Sequence, residues 1–305
     1  MTFLTPLAAL IALALFAPVG AMLFGRVRVR AARRDLALQP PSRWSSAGRL
    51  GCGVAAISLL GLAAAQPALT HTESVRERTD VAALFVIDVS RSMAASATPN
   101  SPTRLERATD VAVKLRSAIP DVPAGVASLT DRVLPQLLPV SDIDGFNGVV
   151  RRAVAIENPP PTGTSVVATN YGALREVASG NYFDPHVTRR IVVLLTDGES
   201  NPVDPGQVAS ALARSHGYRF LAVRFWNPNE RVYDSDGRAE PGYQPNPASA
   251  SITSGLAGAM GGRSFSESDV GAAAAYLRSL AGTGPTVKTG TTISQQPLAD
   301  RKSVV

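Results

Sequence analysis

Two apolar runs, Val81-Ala82-Ala83-Leu84-Phe85-Val86-Ile87 and Ile191-Val192-Val193-Leu194-Leu195, contain no polar alternation. A strand with one wetted face alternates with a period of two, so uninterrupted runs belong to strands covered on both faces, as in parallel sheets. Around them, strand-like segments alternate with helical periodicity. Leu105, Ala108, Val111, Ala112 and Leu115 form one apolar face after Ser101-Pro102-Thr103. Residues 125–129 and 133–140 read as strands separated by the hairpin signal Thr130-Asp131-Arg132. Helices are predicted over 142–155, 165–178, 205–215, 252–260 and 270–280, and further strands over 190–196 and 220–225. Such alternation makes an α/β domain with a mainly parallel sheet between helical layers. In open sheets of that kind, ligands bind beyond the carboxyl ends of the strands, where the strand order reverses.

Both apolar runs stop at an acid. The first ends in Asp88-Val89-Ser90-Arg91-Ser92 and the second in Thr196-Asp197-Gly198. Strand-end aspartates and serines often only cap helices or bond turn amides. Their recurrence at the ends of two buried-type strands favours a ligand role. Hard divalent cations take oxygen ligands, and Mg²⁺ is held by one or two carboxylates with other oxygens completing the octahedron. Asp-x-Ser-x-Ser offers one carboxylate and two hydroxyls, which leaves a bound cation electron-poor and ready to accept an outside carboxylate.

In its order of parts the sequence resembles the metal-ion-dependent adhesion site of von Willebrand factor type A domains. Those parts are Asp-x-Ser-x-Ser, a loop threonine and a later strand-end aspartate. The resemblance implies a doubly wound, mainly parallel six-stranded sheet in the order 3-2-1-4-5-6, with strand 3 antiparallel at the edge. It implies metal ligation by Asp88, Ser90, Ser92, Thr164 and Asp197, with Mg²⁺, Mn²⁺ or Ca²⁺ as the ion. Thr164 stands in Pro161-Thr162-Gly163-Thr164-Ser165, where Thr162 replaces the first glycine of the usual Gly-Gly-Thr. Thr162 and Thr169 are the alternatives for this ligand.

The net charge of +6 is local. Seven arginines between Arg26 and Arg49, against the single acid Asp35, account for all of it and leave 23 basic and 23 acidic residues elsewhere. That balance argues against a nucleic-acid surface. On either side of the arginines lie uncharged apolar stretches, 22 residues from Phe3 to Phe24 and 19 from Leu50 to Ala68. Each is long enough to cross a hydrocarbon core of about 30 Å. The positive-inside rule puts the arginine loop in the cytoplasm and everything after the second span outside. A cleaved signal peptide is the competing reading of the first stretch, but its arginines follow the apolar run instead of preceding it. Cys52, the only cysteine, falls in the second stretch, so no intramolecular disulfide can form. His71, His186 and His216 make no short-range metal pattern.

The expected organisation is therefore a span over 1–25, an arginine-rich cytoplasmic loop over 26–49, a second span over 50–69 and a polar stalk over 70–80. The α/β domain follows over 81–283, then a polar tail over 284–305. Residues 226–246, with three prolines and Tyr233 and Tyr243, are too long for an ordinary connection. They read as a partner-binding loop or a solvated insertion, with the solvated insertion slightly favoured. Two N-terminal spans ahead of such a domain resemble the bacterial Bat-type (aerotolerance-type) membrane proteins. Those commonly end in another transmembrane helix, which the polar tail cannot form.

The resemblance implies a membrane-anchored, non-enzymatic module of the bacterial cytoplasmic membrane. It would bind a partner's glutamate or aspartate through the metal, in association with MoxR-type AAA+ ATPases in assembly or envelope stress tolerance. The rival is a metal-dependent hydrolase using Asp88 and Asp197 around an activated water. Against it, the sequence offers no identifiable general base, phosphate-cradling loop or second-metal cluster.

Overall fold

The central strand is β3 (Val81–Asp88), all of whose residues are buried. In the computed structural model, which describes residues 2–3, 20, 24, 67–162, 169–214 and 217–297, it is sandwiched between two cores. Val81, Ala83, Phe85 and Ile87 point into one core, and Ala82, Leu84 and Val86 into the other. This is the period of two expected of a strand with no wet face.

The sheet has six strands in the order β5-β4-β3-β6-β7-β8. Beside β3 lie β4 (Ala124–Leu129) and β6 (Arg189–Thr196), followed outward by β5 (Val133–Val140) on one side. β7 (Tyr218–Arg224) and β8 (Arg263–Ser266) complete the other side. Every pairing is parallel except β4 with β5, the hairpin at the edge. In strand sequence order this is the expected 3-2-1-4-5-6.

Helices α1 (Arg104–Ser117), α2 (Ile143–Arg152) and α6 (Val270–Ala281) cover the Phe85 face. α3 (Arg175–Ser179), α4 (Pro205–Arg214) and α5 (Ser249–Ala259) cover the other. α1 starts where the sequence signals it. Thr103 accepts from the Glu106 backbone at 3.2 Å, and Glu106 accepts from the Thr103 backbone at 2.8 Å, a reciprocal cap. On the Phe85 face, Phe85 and Phe146 meet edge to face at 5.0 Å.

Four strands were not anticipated from the sequence. β8 is short and half-buried. β2 (Pro67–Arg78) occupies the expected stalk, and β9 (Thr286–Pro297) the expected polar tail. Threonines and β-branched residues in both suit extended backbone, which charge and polarity alone do not reveal. β1 (Thr2–Phe3) pairs antiparallel with β2, Thr2 opposite Ala68, in a three-stranded sheet ordered β1-β2-β9. The ends of the two expected spans, Thr2–Phe3 and residues 67–69, are thus extended, while most of residues 1–25 and 50–69 lies outside the described residues. Among the described residues, no helix is long and apolar enough to cross a membrane. The six-stranded sheet and its helices belong to one compact unit, Val75–Gly290, slightly wider than the expected 81–283.

Phe85→Ala is expected to lower stability by about 3–5 kcal/mol, because it opens a cavity between the central strand and α2. Urea denaturation checks this, and a loss below about 1 kcal/mol would show that the two cores do not hinge on β3.

Candidate metal centre

Because β3 and β6 are in parallel register, with Ile87 opposite Leu195, both leave the sheet at the same edge. Asp88 ends β3 and Asp197 follows Thr196 at the end of β6. The two carboxylates are thus placed side by side by sheet geometry alone. Both are fully buried.

Asp88 is held entirely by hydroxyls and a backbone amide. The Ser90 N–H donates to Oδ1 at 3.0 Å and the Thr196 hydroxyl to Oδ2 at 2.7 Å. The Thr169 hydroxyl lies 3.3 and 3.4 Å from the two carboxylate oxygens. Tyr171, also buried, meets the Thr196 hydroxyl at 2.7 Å. Since Thr196 gives its only proton to Asp88, the Tyr171 phenol is the donor in that contact. Asp197 is held differently: Oδ1 accepts from the Glu199 N–H at 2.9 Å and Oδ2 from Arg104 Nη1 at 3.0 Å. A short 3₁₀ turn, Arg91–Ala94, follows Ser90 and buries Met93. It keeps the Ser90 and Ser92 hydroxyls 3.0 Å apart, with Ser90 bonding Asp88 and Ser92 bonding Asp197. The two serines thus stand one beside each carboxylate.

Gly198 is fixed by space as well as by backbone. Its φ is +84°, and a Cβ there would lie 2.5 Å from Thr253 Oγ1 and 2.6 Å from the Ser249 carbonyl oxygen. Only glycine lets the chain turn so sharply after Asp197.

Of the sequence-derived ligands, Asp88, Ser90, Ser92 and Asp197 come together in one place. Thr164 lies outside the described residues. Of its two alternatives, Thr162 bonds Asp131 through both its amide and its hydroxyl, whereas Thr169 reaches Asp88. Sequence reading missed the rest of the site. Arg104 is fully buried, donating through Nε to Glu230 at 2.7 Å and through Nη1 to Asp197, to Glu199 at 3.0 Å and to the Tyr243 hydroxyl at 2.8 Å. Arg107 supports it from the next turn of α1 by binding Glu230 and Glu267. Only Glu199 carried a usable signal, two residues beyond Asp197.

The electrostatics are those of a site short of positive charge. Burial, then repulsion from Asp197, pushes the Asp88 carboxyl up to about 7. Burial likewise raises Asp197, although Arg104 opposes it, and burial followed by Asp197 raises Glu199. Burial acts to lower the Arg104 pKa, but Asp197, Tyr243, Glu230 and Glu199 outweigh it and hold the guanidinium charged. Among the described residues no three His, Cys, Asp or Glu side chains form a metal cluster. The donor set is instead two carboxylates with hydroxyls, which suits a hard cation of the Mg²⁺ or Mn²⁺ kind. Asp88 is the carboxylate with no basic partner and with three hydroxyl groups beside it, so the residues present fit such an ion.

No family model matches the chain, and no curated protein matches it either. Solved structures do. BatB from Bacteroides thetaiotaomicron superposes with a TM-score of 0.53 at 19% identity, over 67% of this chain and 100% of that one. An aerotolerance-related membrane protein from Bacteroides fragilis gives 0.52 at 20% identity, over 65% of this chain and 99% of that one. The chain shares the fold of these two proteins. Within it, the paired edge aspartates sit where the strand order reverses, between β3 and β6.

Arg104→Ala is expected to destabilise the domain by about 3–5 kcal/mol, since it strands several buried carboxylates without their cation. Arg104→Met should behave similarly, because volume cannot replace the charge. Chemical denaturation of both variants checks this. A methionine variant as stable as wild type would mean the carboxylates take up protons at little cost.

Proposed function

We propose that this chain is a membrane-anchored binding module whose Bat-type domain takes a partner's carboxylate through a divalent metal. The observation that carries the reading is the setting of Asp88. It is a fully buried carboxylate at the sheet's switch point, ringed by Ser90, Thr169 and Thr196, with the nearby arginine already committed to Asp197. Asp88, Ser90, Ser92 and Thr169 would hold the ion, with Asp197, already bound to Arg104, contributing through water. Neutral hydroxyls leave such an ion with positive charge to spare, and an anionic oxygen from outside neutralises it better than water does.

Binding is favoured over hydrolysis by the same geometry. Among the described residues, no histidine lines the cavity above Ser90 and Ser92. Both Asp197 oxygens are already engaged, by Arg104 and the Glu199 amide, which leaves that carboxylate poorly placed to accept a proton from water. The apolar stretches and the arginine loop support an extracytoplasmic domain in the bacterial cytoplasmic membrane. An association with a MoxR-type AAA+ ATPase would then be indirect, since a cytoplasmic partner could reach only the arginine loop.

Calorimetry is expected to show one Mg²⁺ or Mn²⁺ per chain in wild type and none in Asp88→Ala. Thr169→Ala should weaken binding by about tenfold or more, and Thr162→Ala should leave it within about twofold. Identical titration of wild type and Asp88→Ala would place the metal elsewhere. Chelator should release partner proteins from a pull-down of solubilised membranes, and excess metal should restore them.

Topology is separately testable. With Cys52 replaced by serine, an impermeant thiol reagent should label a cysteine placed at Ser101 but not one at Ser46. The reverse pattern would put the domain in the cytoplasm.

A further inference from the structure

Residues 226–246 are largely exposed, as a solvated insertion would be, but the segment is anchored at both ends. Their backbone pairs with the segment after the metal loop, with Ser96 N–H donating to the Arg231 carbonyl at 2.9 Å and the Arg231 N–H to Ser96 at 3.0 Å. Val232 and Glu230 are buried. At the far end of the insertion the Tyr243 hydroxyl bonds Glu199 at 3.1 Å and accepts from Arg104, and the Asn246 amide donates to Glu199 at 3.2 Å. Both ends of the insertion are therefore fastened to the network that holds Asp197.

This fastening walls one side of an open cavity of about 410 Å³. Ser90, Ser92 and Thr169 line it on the metal-loop side, and Tyr243, Gln244 and Asn246 line it on the insertion side. A cavity of this size is that of a small-molecule site and cannot admit a folded surface. Anything reaching an ion held by the serines has to be a side chain on a protruding loop or chain end.

Arg91 stands between the two serines in sequence and lines the same cavity. Its guanidinium is half exposed and pairs with Glu240 of the insertion, which is also a lining residue. An ion pair this exposed is worth about 0–1 kcal/mol, so a carboxylate from outside can take Glu240's place. The planar guanidinium fork suits that exchange, because it binds a carboxylate through two parallel N–H donors. The cavity thus has two places for anions, one at the serines and one at Arg91.

We infer that Arg91 is a second anion contact, and that the insertion selects partners presenting two acidic side chains on one protruding segment. The inner carboxylate reaches the metal centre, and the outer one displaces Glu240 from Arg91. The insertion wall, fixed in advance through Tyr243 and Asn246, sets the spacing between them. This inference rests on the metal-dependent binding reading above and names what that site prefers.

The test uses the full chain in detergent with saturating Mn²⁺ and fluorescein-labelled glycine-serine peptides, followed by anisotropy. One peptide carries a single glutamate, and the others carry a second glutamate one, two or three residues further on. The best two-glutamate peptide is expected to bind about tenfold tighter than the single-glutamate one. Arg91→Gln should compress that ratio to near one, Arg91→Lys should keep part of it, and Glu240→Gln should enlarge it by removing the internal competitor. Equal affinity for all peptides in wild type would overturn the inference. So would an Arg91→Gln variant that weakens every peptide by the same factor, which would make Arg91 only a support for the loop. If calorimetry shows metal bound but no peptide binds, the partner-carboxylate reading falls together with the inference. If peptides bind but do not differ, only the inference falls.

Discussion

Asp88, Asp197, Glu199 and Glu230 are all buried at one edge of the sheet, and Arg104 is the fully buried cation among them. Burying so much like charge is costly unless each group is paired and hydrogen-bonded. The structure meets most of that demand. Arg104 serves three carboxylates, Arg107 shares Glu230, and backbone amides cap Asp88, Asp197 and Glu199. Asp88 is what remains: its partners are neutral. The rest of the edge can be understood as the arrangement that keeps Asp88 buried, ringed with hydroxyls and short of one positive charge.

The same network reaches from the sheet to the insertion. Asp197 binds Arg104, Arg104 binds Tyr243, and Tyr243 returns to Glu199, so the wall of the cavity and the floor of the site share one guanidinium. A change in charge at the floor is therefore felt by the wall through direct contacts. The tight turn at Gly198 serves this arrangement as well, since it brings Glu199 back toward Arg104 immediately after Asp197.

The sheet was legible in the sequence because β3 and β6 are apolar without alternation, which only double-sided burial permits. The strand order came from the resemblance and agrees with the observed pairing. Asp88, Ser90, Ser92 and Asp197 were legible because each sits within a few residues of a strand end. Thr164, the expected loop threonine, lies outside the described residues, and between its two alternatives, equivalent as sequence, only spatial proximity to Asp88 distinguishes Thr169 from Thr162. Arg104 and Glu230 lie in a helix and a loop far from either motif, and an arginine on a helix reads as solvated until tertiary packing buries it. The anchoring of the insertion was illegible for a related reason. Its prolines, tyrosines and charges look solvent-facing, yet two of its polar groups are spent on buried partners.

A divalent cation would complete the charge around Asp88. The most direct measurement is an anomalous diffraction map from crystals of the Val75–Gly290 unit grown with Mn²⁺. One peak is expected within coordination distance of the Asp88 carboxylate and the Ser90 and Ser92 hydroxyls, with Arg104 still bound to Asp197. A site with no peak at full Mn²⁺ saturation, or a peak held by residues outside the β3 and β6 edge, would contradict the account.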